Sequence, residues 1–222
     1  MKKIIWIVVI VAVLVGLYFY LFRPVAAPSE SITAASTPIS NVSASSTVYH
    51  ISQTASTAQF SIYEVLHGSP FTPVGLTNQI AGDIAVSTSI VGAPTIQIGT
   101  ITIDARTFKT DSPQRDGAIG RFILKSDQAA NEFITFVPTT TSTPVENSNG
   151  TWNATSTGNL TISGVTKPET FVLNFSVGNG TLSGTAETTL SRKDFNLVIP
   201  NFSFLADVSD TFSVSAKISA AK

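Results

Sequence analysis

The sequence has no cysteine, two histidines and little charge, and each shortage removes a class of chemistry. Without cysteine there are no disulfides, no thiolate metal sites and no cysteine nucleophile. The lack does not place the chain in the cytosol, because a domain of this size buries enough core to be exported without covalent staples. His50 and His67, with carboxylates scattered elsewhere, lack the spacing of a metal site, and none is expected. No G-x-S-x-G occurs and neither histidine stands in a triad context, so no catalytic residue is assigned and no enzyme or cofactor is expected. Charged residues make up 12% of the chain, well below the usual share of about a quarter. Serine and threonine supply much of the polar surface instead. The formal net charge is -1, and without Lys2, Lys3, Arg23 and Glu30 the remainder is more acidic still. A nucleic-acid partner is therefore not expected.

Residues 1–3 form a short basic start. Ile4–Phe22 is an unbroken apolar run with a single Gly16. As a helix it would be roughly 28 Å long, close to the hydrocarbon thickness of a bilayer. Trp6 lies towards one end and Tyr18, Phe19, Tyr20 and Phe22 towards the other, as interfacial side chains do. The run predicts a transmembrane anchor over residues 4–22 rather than a cleaved signal peptide, since the candidate site Val25-Ala26-Ala27 is followed by Pro28. Lys2 and Lys3 outweigh Arg23, which keeps the N-terminus in the cytoplasm and puts the rest outside it, in a periplasm or at a cell surface. Residues 23–46 are rich in Ser, Thr, Ala and Pro and carry no amphipathic period. They read as a flexible linker to a domain over residues 47–222.

From Thr47 the chain is punctuated like an all-β protein, in short alternating runs divided by Gly, Pro, Asn, Asp and Ser. Phe171, Leu173, Phe175 and Val177 make the clearest alternation, and Gly178-Asn179-Gly180 reads as a hairpin turn after it. Ile96 and Ile98 share one phase, and Ile101 and Ile103 take the other. The slip at Gly99-Thr100 predicts a bulge or bend. The helix-like window is Ser126–Asn131, and Thr139–Asn149 reads as an exposed loop. Such strands either close into a barrel or stack as a sandwich, and periodicity does not separate the two. The set Phe60, Phe108, Phe122, Phe133, Phe136, Phe171, Phe175 and Phe195 either fills a core or lines a tunnel. Charge is concentrated between Asp104 and Asp127. There Arg115 and Asp116 read either as a structural ion pair or as a contact for a ligand head group at a mouth.

Three stretches resemble the signatures of the YceI-like family, in order and spacing. Thr102–Asp111 (TIDARTFKTD), with Gln114-Arg115-Asp116 and Phe133–Phe136 (FITF), resembles the central one. Gly158–Pro168 (GNLTISGVTKP) resembles the second and Leu190–Phe195 (LSRKDF) the third. The similarity spans Thr47–Lys222. Ala55-Ser56 stands where many members carry His-Ser, and Glu64–Phe71 is longer and less regular than the usual return. The resemblance implies an extended antiparallel lipocalin-like β-barrel of about eight strands, exported and not enzymatic. Its apolar interior would hold a polyisoprenoid or isoprenoid-quinone-type lipid. By the same resemblance Phe60, Ile62, Ile84, Ile101, Ile103, Phe108, Phe122, Phe136, Leu160, Phe171, Leu173, Phe175 and Phe195 would line the barrel; in the head-group reading of the pair, Arg115 and Asp116 would stand at its mouth. Membrane contact through the N-terminal helix and a homodimer complete the expected partners. The contrasting reading is a cell-surface structural or protein-interaction β-domain with a filled core and no ligand.

Overall fold

The computed structural model describes residues 2–22, 24–87, 93–200 and 205–222. Met1 of the expected cytoplasmic start and Arg23 of the expected linker lie outside the described residues. The strands are β1 (Thr47–Ile51), β2 (Thr57–Ile62), β3 (Glu64–Leu66), β4 (Ser69–Phe71), β5 (Val74–Thr77), β6 (Ile80–Ala81), β7 (Asp83–Ser87) and β8 (Thr95–Ile98), then β9 (Ile101–Asp104), β10 (Phe133–Thr141), β11 (Val145–Glu146), β12 (Trp152–Ile162), β13 (Val165–Gly178), β14 (Thr181–Ser191), β15 (Leu205–Ala206) and β16 (Thr211–Ala221). Thirteen of them form one curled sheet, and β15, β3 and β4 form a separate small one.

The regular half is an antiparallel run of β10, β12, β13, β14 and β16. In β13, Phe171, Leu173 and Phe175 are buried while Val172 and Thr170 face out, so one face of the strand belongs to the core. The reversals need a left-handed backbone, and the sequence provides residues that tolerate it. Asn179-Gly180 joins the paired residues Gly178 and Thr181, with φ of 53° and 76°. Ser163-Gly164 does the same between Ile162 and Val165, and His67-Gly68 between Leu66 and Ser69. All three are two-residue turns whose twist suits a hairpin.

The other half is broken into short pieces. β1 and β2 both pair with β16 and form one track interrupted at residues 52–56. Within residues 74–87, β5 pairs with β2, β6 with β9, and β7 with both β1 and β8. One stretch of chain is thus hydrogen-bonded on both sides, and the sheet curls back around a single interior. β8 ends and β9 begins across Gly99-Thr100. That break lets all four isoleucines of the slipped alternation, Ile96, Ile98, Ile101 and Ile103, reach the interior.

Two parts of the expected fold class are corrected. The chain is mostly β-sheet, but the breaks at residues 52–56, Asn78-Gln79, Gly82 and Gly99-Thr100 cut long tracks into many short strands where about eight were expected. The transmembrane helix is overturned as well. Helix α1 (Lys2–Phe22) forms. Among the described residues no helix is long and apolar enough to cross a membrane.

The stretch expected to be a flexible linker lies against the sheet instead. The Ala26 amide donates to the Asp127 carboxylate at 2.8 Å, the Ser29 amide to Glu132 at 2.6 Å and the Ile39 amide to Asp83 at 3.1 Å. Ile32, which opens the short helix α2 (Ile32–Ala35), is buried. A polar composition says nothing of which carboxylates wait for its backbone amides, so the strap was invisible in the sequence. Helix α3 (Pro113–Ala118) was also unforeseen. Ser112 caps it and Pro113 opens it, a start signal of the ordinary kind. A π-helical turn follows over Ile119–Ile123. The expected helix at Ser126–Asn131 shrinks to a 3-10 turn over Ala129–Asn131. The expected loop at Thr139–Asn149 partly joins the sheet through β10 and β11.

Candidate functional site

The interior is not filled. A cavity of about 720 Å³ lies inside the curled sheet, and its wall is almost wholly apolar. The wall is built from alternate residues of β2, β7, β8, β9, β10, β12, β13, β14 and β16, with Phe108 and the π-helical turn closing it from one side. Of the residues expected to line a barrel, Phe60, Ile62, Ile84, Ile101, Ile103, Phe108, Phe122, Phe136, Leu160, Phe171, Leu173 and Phe175 all face this cavity. Phe195 is the exception. It is 0% exposed and packs into the core cluster, which also holds Leu197, without reaching the cavity. The remaining Phe133 is outside the wall as well.

Small residues leave the room. Ala58, Ala216 and Ala186 stand side by side across β2, β16 and β14, and all three line the cavity. A belt of methyl groups across three neighbouring strands cannot reach the opposite wall. Elsewhere in the wall large side chains pack on one another. The Phe136 and Phe171 rings meet edge to face at 4.9 Å, and Phe60 and Phe108 at 5.3 Å, geometries that aromatic pairs favour. Phe60 lies over Gly75 on β5, where an added Cβ would sit 2.1 Å from its ring. That close approach fixes the ring against the wall. The alanine belt, the π-helical residues Ile119 and Ile123 and the following Leu124 were missed in the sequence. Alanine at alternate positions carries too weak a hydrophobic signal to mark a wall.

The cavity opens at one end. There its lining reaches the exposed His67 and Gln114, whereas Ile84 and Leu182 of the same lining are buried. Arg115 and Glu64 line this opening. Arg115 Nη2 stands 3.5 Å from Glu64 Oε1, its Nη1 bonds the Asp111 carboxylate, and its guanidinium lies 5.1 Å from the Phe71 ring centre. Burial pushes the Glu64 pKa above the usual carboxylate range, against a smaller opposite pull from Arg115. Asp116, the other expected mouth residue, does not reach the cavity. It accepts bonds from the Thr110 amide at 2.7 Å and hydroxyl at 2.8 Å, and so pins the loop before α3.

A second charged group, away from the cavity lining, ties the stretch around Ala27 to the sheet. Arg106 Nη1 meets Glu132 Oε2 at 2.8 Å, with side-chain exposures of only 6% and 2%. The same guanidinium donates to the carbonyls of Ser126 at 2.7 Å and Ala27 at 3.0 Å. Asp104 beside them is buried, and burial raises its pKa, with the Arg106 amide bond to its carboxylate acting in the opposite direction. Arg192 likewise serves the backbone, donating to Ser209 and Leu197. Among the described residues no group of His, Asp and Glu is placed to hold a metal ion. Chemically, the site can enclose an apolar chain and present polar groups to whatever ends it.

No curated protein matches the sequence. Among solved structures, the fold is similar to the crystal structure of Burkholderia cenocepacia BcnA, at 16% identity and a TM-score of 0.55, covering 77% of this chain and 99% of that one. It is also similar to a polyisoprenoid binding domain from Saccharophagus degradans implicated in plant cell wall breakdown, at 15% identity and a TM-score of 0.56, covering 78% of this chain and 97% of that one. The model of the YceI-like domain matches residues 49–220, the whole curled sheet from β1 to β16, and the chain therefore belongs to the YceI-like domain family.

Proposed function

We propose that this protein is a lipid-binding protein that holds a polyisoprenoid or isoprenoid-quinone-type chain inside the barrel with its head at the Glu64–Arg115 opening. The observation that carries the reading is the apolar cavity of about 720 Å³ inside the curled sheet. It lies within the size range of small-molecule sites. Each methylene moved from water into such a wall is worth about 0.8 kcal/mol, so a chain of a few isoprene units has ample driving force. The likeness of fold to a domain named for polyisoprenoid binding supports the same ligand class. The site offers enclosure and no reacting groups, which favours a carrier or buffer over an enzyme. The empty interior argues against a filled structural domain.

The test uses the full-length chain, extracted with solvent and analysed by mass spectrometry, beside the variant Ala186→Trp. The indole would project from the β14 end of the alanine belt into the cavity. A prenyl lipid should accompany the wild type, or be taken up when added, and be lost from the variant. Equal prenyl lipid on both proteins, or on neither after addition, would sink the reading.

A further inference from the structure

The opening of the cavity carries an acidic side chain that lacks a hydrogen-bond donor among the described residues. Glu64 begins β3, is 6% exposed and lines the cavity. No described residue donates a hydrogen bond to its carboxylate. Arg115, its counter-charge, stands at 3.5 Å, longer than the roughly 2.7–2.9 Å of a charge-assisted bond. That guanidinium is also shared. Asp111 bonds its other nitrogen, and Phe71 covers its face. Two carboxylates thus surround one cation at the place where a ligand head would rest. A half-desolvated acceptor of this kind is costly until a donor fills it.

We propose that Glu64 is the head-group selector of the cavity: its carboxylate accepts a hydrogen bond from an uncharged O–H end, an alcohol or phenol, and turns away a phosphate end. An alcohol brings the missing donor and no charge. A phosphate brings further negative charge against Glu64 and Asp111, with Arg115 already engaged by both, and like charges at such range are strongly unfavourable. The raised pKa of Glu64 agrees with a carboxylate short of stabilising partners. The inference rests on the lipid reading above and narrows it.

The experiment compares geranylgeraniol and geranylgeranyl phosphate, which share a chain and differ at the head, by competition binding to the full-length protein. The wild type should prefer the alcohol by at least about tenfold. Glu64→Gln should cut that ratio by about tenfold, because it keeps the shape and frees Arg115 for the phosphate. Asp111→Asn is the second variant. Its residue is exposed and outside the wall, so folding is not at stake, and it should move the ratio the same way by a smaller factor. A ratio near one in the wild type, or one unmoved by both variants, overturns the selector while leaving the lipid reading intact. Failure of both probes to bind at all takes down the lipid reading and the selector with it.

Discussion

Removing Arg106 should destabilise the fold far more than removing the pair it belongs to. The side chain is 6% exposed and Glu132 is 2% exposed, so their attraction acts in a poorly screened place. Arg106→Leu leaves the Glu132 carboxylate buried with one remaining partner, the Ser29 amide at 2.6 Å. It also strips the Ser126 and Ala27 carbonyls of their donors. Breaking a buried pair from one side costs about 3–5 kcal/mol. For a domain of this length each 1 kcal/mol moves the melting temperature by roughly 2–4 °C, so the variant should melt about 6–20 °C lower. The double variant Arg106→Leu/Glu132→Leu removes both charges and should recover much of the loss. Circular dichroism melts of the three proteins measure this. Hydrogen exchange at Ala26 and Ser29 adds a local readout, since their amides end on Asp127 and Glu132. A single variant within about 1 kcal/mol of wild type, or a double variant worse than Arg106→Leu, would refute the argument that the pair is buried and coupled.

The backbone approaches give sharper local tests. Gly184→Val should lower stability by about 1–3 kcal/mol, because a Cβ there would stand 2.4 Å from the Asn174 carbonyl oxygen across the β13–β14 pair; denaturant midpoints within experimental error of wild type would contradict that register. Gly180→Ala should cost about 1 kcal/mol because φ is +76° in the turn, whereas Gly178→Ala, with open space around it, should cost much less; equal effects would refute the turn. Asp104 tests burial through pH. Burial raises its folded pKa above the ordinary aspartate value of 3.8, so the folded state holds the proton longer than the unfolded state. Its contribution is therefore most favourable below that value and is lost as pH rises through the folded pKa. The melting temperature of the wild type relative to Asp104→Asn should fall over that window, and a relative rise would contradict the assignment.

Much of the sheet was legible because strand periodicity writes the pleat directly into the sequence. Phe171, Leu173 and Phe175 alternate with polar or exposed neighbours, and they face one way in β13. Asn179-Gly180 makes the turn that such a pair favours. The slip at Gly99-Thr100 marks the break between β8 and β9. What failed has a common cause. Residues 24–46 owe their place to single carboxylates far away in sequence, Asp83, Asp127 and Glu132, and composition carries no trace of such partners. The apolar run at the N-terminus showed the opposite error. Hydropathy over residues 4–22 predicts a membrane span, yet no described helix is long and apolar enough to cross one.

The site divides along the same line. Large apolar residues announce themselves, and all the expected wall residues but Phe195 face the cavity. Yet those residues do not make the space; taken alone they would close it. The volume comes from Ala58, Ala186 and Ala216, whose alignment across three strands depends on register, a property of the pairing and not of any one strand. Glu64 was likewise passed over as part of an irregular return. It acquires meaning only when the His67-Gly68 turn folds β3 and β4 over the opening and burial leaves its carboxylate beside Arg115. A cavity is a deficit of side-chain volume opposite a surplus. The surplus can be read from phenylalanines in a sequence, while the deficit appears only when the strands are laid side by side.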